Sequence, residues 1–354
     1  MSIFAPVLQL NQEYALSTLP PEKRTLLGVD IGNTKTHALL TDLKGRVLGF
    51  TEGGCGSYEV LGPDGYAQNL KLITSEVIAQ AGVSPKSIAG MGFGLAGYDW
   101  PSETPIMAAG ITALSINAPF AFDNDVMIGL IAGAEPGWGV AVDAGTGNNV
   151  RGRDAQGRTG RITGNSARFG EFGGASELVI LAVIAVTHAW TSRGPATALT
   201  RMLMDYAEVD SEEKLIEGLA MAQIHLSPIL ARDILQTAAE GDPVAQEIVQ
   251  RNAHDLGLNV NAVIRQLGIQ DQAFDVVLIG SLFNAGEQVI KPLRETIYKF
   301  SPKARLNRLS VPPVVGAVLL GAEACGISPG QIRPTLIQST ASKLTPSDPS
   351  DLLE

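Results

Sequence analysis

Short apolar runs separated by small polar turns organise the first part of the chain. One apolar run over residues 26–30 ends at Asp30 and leads through a polar turn into a second run that ends near Asp42. The sequence Lys44-Gly45-Arg46 then forms another turn signal before a third run over 47–51. Strands joined by such turns predict an antiparallel meander that opens a mixed sheet.

The same pattern returns in the second half of the chain. An apolar run over 139–142 leads into Asp143 and a turn rich in Gly and Thr, and a strand resumes over 150–154. Each half therefore has an acid just before a small-residue turn, and a repeated fold is the simplest explanation. Further predicted strands cover residues 88–93, 120–122 and 274–279.

Helical spacing of apolar residues predicts the elements between these strands. The predicted helices cover residues 66–81, 105–114, 126–134, 175–191, 197–219, 229–266, a segment that begins near Glu287, and 317–325. Residues 1–24 are expected to form a loosely attached N-terminal extension. Residues 331–354 are rich in Pro, Ser and Thr, a composition typical of a disordered tail.

Length and charge restrict the class of protein. With 354 residues the chain is long enough for two domains, and its formal net charge of −10 argues against nucleic-acid or anionic-membrane partners. No apolar run reaches the ~20 residues that span a membrane, and the N-terminus lacks a signal-peptide pattern. Cys55 and Cys325 are far apart in sequence and are expected to be idle thiols. We expect a soluble, cytoplasmic protein.

The first turn has a composition that suits phosphate binding. Its backbone N–H groups can converge on phosphate oxygens, and the hydroxyls of Thr34 and Thr36 add donors. Lys35 adds positive charge, and Asp30 is able to hold Mg²⁺ through water. By itself the turn fits a plain β-hairpin equally well.

Five segments in order resemble the actin-like ATPase superfamily, which includes sugar kinases, actin and Hsp70. They are the two turns, a strand and small-residue turn over 276–283 that resembles the adenosine segment, and two connecting helices over 122–129 and 314–324. Within the superfamily, residues 26–326 resemble the BadF/BadG/BcrA/BcrD ATPase family, which includes N-acetylglucosamine kinase. The motifs of this resemblance are Gly94-Leu95-Ala96-Gly97, Asn124-Asp125, Gly145-Thr146-Gly147 and the loop over 170–175.

The resemblance implies an α/β fold of two ribonuclease-H-like domains with an ATP cleft between them. The expected domains cover residues 25–135 and 136–315, and a return helix over 316–330 packs on the first domain. The resemblance also implies a homodimer. A second branch of the family carries an Fe–S cluster, but Cys55 and Cys325 do not match the closely placed cysteines that such a cluster needs.

Site residues follow from the resemblance residue by residue. It implies that ATP phosphates meet Gly32, Asn33, Thr34 and Lys35 on one side and Gly145, Thr146 and Gly147 on the other. It implies adenosine at Gly280 and Ser281, Mg²⁺ at Asp30, and a sugar at Ser57, Gly97, Asn124 and Glu171. Asp143 is a second candidate for the metal. Asp125 is the expected general base, because phosphoryl transfer needs positioning and a carboxylate that takes the acceptor proton.

Several of these residues have a second interpretation. Asp125 is also suited to capping the helix that starts at Val126, and Asp123 is an alternative base. Asp143 is either a metal ligand or only a turn acid. Glu171 contacts sugar or caps the helix at Ala175.

A group of arginines close to the second turn also has two interpretations. They form a solvated hairpin face or hold an anionic acceptor; they are Arg151, Arg153, Arg158, Arg161 and Arg168.

The acceptor side departs from the family pattern. Ser57 stands where many of the kinases have Asn, Gly164-Asn165-Ser166 replaces a Gly-Trp-Gly, Phe172 replaces the second of two acids, and Asn148 replaces the usual Ser after the second turn. The acceptor therefore stays open. The sequence predicts ATP-dependent phosphorylation of an amino-sugar hydroxyl, N-acetylglucosamine or a relative, and the alternative is an ATP-binding switch without kinase activity.

Overall fold

Two mixed β-sheets form the framework of the molecule. The computed structural model describes residues 7–8 and 19–343, and all structural statements concern these residues. The N-terminal lobe contains β1 (Val7–Leu8), β2 (Thr25–Ile31), β3 (Thr36–Asp42), β4 (Val47–Gly53), β5 (Ile88–Leu95) and β6 (Phe120–Asp123). The C-terminal lobe contains β7 (Gly139–Ala144), β8 (Asn148–Arg153), β9 (Thr159–Arg161), β10 (Asp275–Ile279) and β11 (Arg305–Arg308).

The two sheets share one topology. Their strand orders are β1-β6-β5-β2-β3-β4 and β11-β10-β7-β8-β9. In each sheet three consecutive strands form an antiparallel meander, β2-β3-β4 in the first and β7-β8-β9 in the second. The first strand of each meander also pairs parallel with a later strand, β2 with β5 and β7 with β10. Short turns permit the antiparallel pairs, whereas the parallel neighbours require helical crossovers. The predicted meander and the predicted repeat are therefore confirmed.

Helices cover both faces of each sheet. They are α1 (Tyr58–Ala81), α2 (Thr104–Thr112), α3 (Asp125–Gly133), α4 (Ala175–Trp190), α5 (Leu199–Tyr206), α6 (Glu212–Ala220), α7 (Ala231–Ala239), α8 (Pro243–Leu267), α9 (Glu287–Phe300), α10 (Val314–Ala324) and α11 (Pro329–Lys343). None of the helices in the described ranges is long and apolar enough to cross a membrane.

Two predicted long helices are wrong because each one is broken. The segment over 197–219 splits into α5 and α6, where Glu208 adopts a left-handed backbone and the Ser211 side chain accepts from Lys214 N to start a new helix. The segment over 229–266 splits at Gly241, which has a φ of +102°, before Asp242 caps α8. In both cases a cap signal outweighs continuous apolar spacing. The short strands β9 and β11 were not predicted.

Strand alternation decides which face carries the acids. Leu27, Val29 and Ile31 of β2 are buried in the cluster with α1 and α2, whereas Leu26 belongs to a second cluster on the opposite face. Because side chains alternate along a strand, Asp30 lies on the same face as Leu26. The strand β7 repeats this arrangement, since Ala141 belongs to the second cluster and Asp143 follows it by two residues.

That second cluster, the shared core, joins the lobes through α3 and α10. These two helices pack so closely that a Cβ on Gly316 would lie 1.8 Å from the carbonyl oxygen of Ile128. The helix α10 also lies directly on the first sheet, where a Cβ on Gly92 would come within 2.0 Å of Ala317 O. These contacts require glycine. The connecting helices implied by the resemblance thus lie between the two sheets.

The two ends of the chain differ in part from expectation. The predicted disordered tail over 331–354 is wrong as far as Lys343, because α11 buries Ile332 and Leu336 in the shared core. Residues 344–354 lie outside the described residues, as does most of the predicted N-terminal extension over 1–24. Within that extension, Val7–Leu8 pairs antiparallel with β6. The predicted domain limits, 25–135 and 136–315, stay predictions.

Arg333 fixes α11 to the end of α3. Its guanidinium is buried and donates to the carbonyl oxygens of Ala132 (2.9 Å) and Ile131 (2.5 Å). These carbonyls belong to the last turn of α3, which has no intrahelical donors for them. A cation at a helix C-terminus is also favoured by the helix dipole. Arg333 is therefore a C-terminal cap supplied from a distant segment.

We expect Arg333→Met to lower the free energy of unfolding by about 2 kcal/mol, since each hydrogen bond from a charged donor contributes roughly 1.5–3 kcal/mol. Chemical denaturation followed by circular dichroism measures this loss. Arg251→Met, on the exposed face of α8, is the matched control and should stay within about 0.5 kcal/mol of wild type. Equal stability of the two variants would contradict the capping role.

Candidate functional site

Three carboxylates from three different elements converge between the lobes. Asp30 is near the end of β2, Asp125 begins α3, and Asp143 is near the end of β7. Burial and the charges of Asp30 and Asp143 together raise the pKa of Asp125 to about 7, although Arg151 acts in the opposite direction. Burial also raises the pKa of Asp143 to about 7. The cleft thus collects negative charge that the protein only partly compensates.

The first turn presents its predicted residues to solvent. Gly32 N donates to Lys35 O at 2.9 Å, which closes the turn and leaves Asn33, Thr34 and Lys35 exposed. A Cβ on Gly32 would lie 2.8 Å from Lys35 O, so the turn requires glycine there. Thr36 is an exception to the expected donors, because it is buried and its hydroxyl donates to Gly54 O at 2.8 Å.

The second turn rests on the N-terminus of α4. The carbonyl oxygens of Gly145 and Thr146 accept from Ala175 N (2.9 Å) and Ser176 N (2.8 Å). The turn itself is closed by Gly145 N donating to Gly147 O at 3.0 Å. A Cβ on Gly145 or Gly147 would meet no atom within 4 Å. The space before this turn is therefore open, and packing within the protein does not require either glycine.

Asn148 connects the second turn to the helices behind it. Its amide nitrogen donates to Glu171 O (2.9 Å) and to the carboxylate of Glu177 (3.2 Å), and its oxygen accepts from Asn259 (3.3 Å). Glu177 also accepts from Gly174 N at 2.7 Å and so caps α4. Glu177 and Asn259 were missed from the sequence. The signal available for Glu177 was its place at the third position of a predicted helix, where an acid commonly caps the helix N-terminus.

The hydrogen bonds of Asp123, Asn124 and Asp125 show which of these side chains caps α3. Asn124 Oδ1 accepts from Val126 N at 3.0 Å and is the N-cap of α3, so the capping role considered for Asp125 belongs mainly to Asn124. Asp123 Oδ1 accepts from Asn124 N at 2.8 Å. Among the described residues, the one donor to Asp125 is Val126 N, at 3.0 Å. The carboxylate of Asp125 therefore keeps acceptor capacity towards the cleft.

The remaining predicted sugar contacts occupy two places. Ser57 is fully buried and its hydroxyl donates to Ala96 O at 3.4 Å, beside Gly97, which has a φ of +81°. Glu171 lies in the C-terminal lobe, where its carboxylate accepts from Thr163 N (2.7 Å), Thr163 Oγ1 (2.8 Å) and Asn165 N (3.1 Å). Glu171 does not cap α4, because Glu177 does. Its contact with sugar stays a prediction.

The arginines near the second turn are largely compensated within the protein. Arg151 pairs with Asp99, Arg153 pairs with Glu323 on α10, and Arg158 pairs with Asp154; the guanidinium of Arg161 lies 4.4 Å from the centre of the Trp100 ring. Three of the five arginines therefore have a carboxylate partner within the protein, which weakens the hypothesis that this group holds an anionic acceptor. Asp99 was not predicted, and Trp100 was expected only to be a packing residue, since no local pattern marks a partner that lies on the other lobe.

A cavity of about 630 Å³ opens beside the second turn. Ser281 lines it together with Ala175, which is also hydrogen-bonded to the turn. Gly280 precedes Ser281 and lies against the end of β7, since a Cβ there would be 2.4 Å from Ala144 O. Most of the lining was not predicted; it includes Pro228, Ile229, Arg232, Gln236, Asn284 and Gln288.

The carboxylates suit a divalent cation that keeps its water. Within residues 7–8 and 19–343, no three His, Cys, Asp or Glu side chains are close enough to coordinate a metal directly. Mg²⁺ is typically held by one or two carboxylates with water and substrate phosphates. Asp30 and Asp143, at the ends of two facing strands, provide such a donor set, and their mutual charge with Asp125 favours a cation.

The chain is similar to a family of ATPases and to two sugar kinases of known name. The BadF/BadG/BcrA/BcrD ATPase family profile matches residues 27–321. An N-acetylmuramic acid/N-acetylglucosamine kinase of Clostridium acetobutylicum is 25% identical over 302 residues, which cover 85% of this chain and 99% of that protein. An N-acetyl-D-glucosamine kinase of Dictyostelium discoideum is 25% identical over 317 residues, covering 84% of this chain and 98% of that protein.

The fold of the chain is similar to that of solved kinase structures. A candidate N-acetylglucosamine kinase from Chromobacterium violaceum superposes with a TM-score of 0.63 at 24% identity, covering 85% of this chain and 99% of that one. The ROK hexokinase of Thermus thermophilus superposes with a TM-score of 0.51 at 18% identity, covering 91% and 99%. Two actin-like domains around a cleft are therefore the fold of this chain.

The raised pKa of Asp143 makes the stability of the ligand-free protein depend on pH. A carboxyl whose pKa rises on folding binds its proton more tightly when folded, so stability is present at low pH and is lost as pH rises from its ordinary value of 3.8 to about 7. We expect the melting temperature of Asp143→Asn to fall less than that of wild type when the pH is raised from 5 to 7.5. The difference should be a few degrees, since 1 kcal/mol corresponds to about 2–4 °C.

The matched control for this measurement is Asp64→Asn, on the exposed surface of α1. Its melting temperature should follow that of wild type across the pH range. Parallel curves for wild type and Asp143→Asn would contradict the burial of an ionisable Asp143.

Proposed function

This chain belongs to the BadF/BadG/BcrA/BcrD ATPase family, and on that premise we propose that it is an ATP-dependent kinase that phosphorylates a hydroxyl of an amino sugar. The observation that carries the proposal is the position of Asp125, which begins α3 and is influenced by the charges of both strand-end acids. A carboxylate placed between two open turns from two lobes is the arrangement that phosphoryl transfer to an alcohol needs.

The two turns would hold the ATP phosphates. We assign Gly32, Asn33, Thr34 and Lys35 to one side and Gly145, Thr146 and Gly147 to the other. The open space before Gly145 and Gly147 supports this assignment, because it admits phosphate oxygens close to the backbone. The cavity beside Ser281 has the volume of a ligand pocket and would take the adenosine, with Gly280 at its edge.

Asp30 and Asp143 would hold Mg²⁺. The cation supplies charge neutralisation for the transferred phosphoryl group. The protein contributes the two strand ends and keeps both carboxylates at the cleft. Because a cation favours ionised carboxylates, the raised pKa of Asp143 in the ligand-free protein is consistent with a site that becomes stable when filled.

Asp125 would act as general base on the acceptor hydroxyl. Burial and neighbouring carboxylates raise its pKa to about 7, which places it near the optimum for accepting a proton at neutral pH. Asp123 is less suited, because the charges that act on its carboxylate are those of Arg151 and Arg153, which favour its ionised form, and not those of the two strand-end acids. Orientation of the hydroxyl towards Asp125, with water excluded by the two lobes, provides the rate enhancement.

The proposed acceptor class comes from the relatives. Their names give N-acetylglucosamine for both and N-acetylmuramic acid for one. The compensated arginines favour the neutral acceptor, N-acetylglucosamine or a relative. Ser57, Gly97, Asn124 and Glu171 are the proposed acceptor side. A homodimer and a cytoplasmic location are further proposals, which rest on the resemblance and the composition.

A coupled assay of ADP release with Mg-ATP tests this function. The acceptors would be N-acetylglucosamine, N-acetylmannosamine, N-acetylmuramic acid, glucosamine and glucose. We expect sugar-dependent ADP release for at least one N-acetylated sugar. Slow release that no sugar stimulates would reject the kinase and support the alternative, an ATP-binding switch of the same fold.

Asp125→Asn should lower kcat by about 10²–10⁴-fold, the usual contribution of a general base. Binding of Mg-ATP, measured by calorimetry, should stay within about threefold of wild type, since the base does not hold nucleotide. Asp123→Asn is the matched variant and should keep most of the activity. The opposite result, loss in Asp123→Asn and retention in Asp125→Asn, would transfer the base role to Asp123.

Gly147→Ala should weaken Mg-ATP binding while leaving the fold intact. Its methyl group meets open space in the protein but occupies the place proposed for phosphate. We expect an increase of at least tenfold in Kd, or about 1.4 kcal/mol, and a melting temperature within 2 °C of wild type. Gly330→Ala on α11, where a Cβ would meet only Ser328 Oγ at 4.0 Å, is the control for both readouts. Unchanged nucleotide affinity in Gly147→Ala would reject the second turn as a phosphate site.

A further inference from the structure

The loop over 97–100 is held by both lobes at once. It follows β5 in the N-terminal lobe, and two arginines of the C-terminal lobe contact it. The Arg151 guanidinium forms an ion pair with Asp99 and also donates to Tyr98 O at 3.4 Å. The Arg161 guanidinium lies 4.4 Å from the centre of the Trp100 ring, a cation–π contact.

Register explains why two arginines reach adjacent residues. Arg151 on β8 is directly opposite Arg161 on β9 in the antiparallel pair. Opposite residues of such a pair present their side chains on the same face of the sheet. Two neighbouring positions of one hairpin therefore contact Asp99 and Trp100 together, and we name these four residues the interlobe clamp.

The clamp connects to the proposed catalytic base through Asn124. The amide nitrogen of Asn124 donates to Tyr98 O at 3.3 Å and to Asp99 Oδ1 at 3.4 Å. Asn124 in turn caps α3, whose first residue is Asp125. The path from Arg151 to Asp125 therefore passes through two side chains, Asp99 and Asn124.

The loop has its own support within the N-terminal lobe. Glu103 Oε2 accepts from the backbone N–H groups of Asp99 and Trp100, both at 2.7 Å. Glu103 Oε1 accepts from the Tyr58 hydroxyl at 2.6 Å. The loop is therefore preformed before the C-terminal lobe meets it, and a charge-removing change at Asp99 leaves these backbone bonds in place.

Burial makes the ion pair depend on both partners. The side chain of Arg151 is 7% exposed and that of Asp99 is 23% exposed. Arg151 Nε is buried without an acceptor among the described residues, and the carboxylate of Asp99 is the one that forms an ion pair with the guanidinium. A buried charge that loses its partner is strongly destabilising. If the lobes separate, water can solvate both side chains. Removal of one partner therefore raises the free energy of the closed arrangement more than that of the open one.

We propose that the ion pair between Arg151 and Asp99, supported by Arg161 on Trp100, holds the two lobes closed on the acceptor side and thereby positions Asn124 and Asp125. Arg151 and Asp99 are positioning residues in this proposal. The kinetic part of the proposal rests on the proposed kinase function, whereas the structural part, closure of the lobes, does not.

Small-angle X-ray scattering of the full chain without ligands tests the structural part. Asp99→Asn removes the carboxylate that pairs with the buried Arg151 charge, so we expect a larger radius of gyration than that of wild type. Asp99→Asn/Arg151→Met removes both charges and should return towards the wild-type value. Asp210→Asn breaks an exposed ion pair with Lys214, whose residues do not line the cavity beside the second turn, and should not change it. A wild-type radius of gyration in Asp99→Asn would overturn the clamp.

Kinetics with the acceptor found in the sugar panel test the positioning part. We expect each single variant, Asp99→Asn and Arg151→Met, to lose about 10–100-fold in kcat/KM for the acceptor. Affinity for Mg-ATP should stay within threefold, a pattern that general unfolding would not produce. The double variant should lose no more than the worse single variant, because partners of one interaction are not additive. A double-variant loss equal to the product of the two single losses would overturn the pairing.

The two measurements separate the possible failures. If no sugar is phosphorylated but the scattering result is as expected, the kinase proposal fails and the clamp stands. If phosphorylation is found and neither variant changes the scattering or the acceptor kinetics, the clamp fails and the kinase proposal stands.

Discussion

Close packing of α3 against α10 is the contact on which the rest of the structure depends. Each helix connects the lobes, and the absence of a side chain at Gly316 and Gly92 lets α10 touch both α3 and the first sheet. Apolar residues of both lobes form one shared core around these helices. A continuous core of this kind fixes the direction of the two sheets, so the strand ends that carry Asp30 and Asp143 face one cleft.

The electrostatics of that cleft are unfavourable in the ligand-free protein. Asp30, Asp125 and Asp143 share a region with limited access to water, and burial raises the pKa values of Asp125 and Asp143. Such a cluster does not contribute to stability, because like charges repel and lose solvation. The Mg²⁺ proposed for this site would account for the cluster, since a metal ion reverses the preference for protonated carboxyls. Perturbed carboxyls in a cleft are a common property of catalytic sites.

Support for the site comes from residues one step removed from it. Asn148 joins the second turn to Glu177 and Asn259, and Asn124 joins α3 to the loop that carries Asp99. Arg333 holds the other end of α3 from a helix that lies beyond the family match. The helix that starts with Asp125 is thus fixed at both ends. Side chains held in this way keep a catalytic group in one orientation, which a loop by itself does not achieve.

The sequence by itself determined most of the strands, the two turns and their repeated order, because alternation and turn composition act over a few residues. It also singled out Asp30 and Asp143, because each lies at the end of a predicted strand, whereas Asp125 was singled out by the resemblance of the Asn124-Asp125 pair. Only the tertiary structure decided that Arg151 meets Asp99, that Thr36 is unavailable and that Ile332 and Leu336 order α11. Those outcomes depend on contacts between segments that are distant in the chain. Burial and pairing energies arise from such contacts, and no local pattern encodes them.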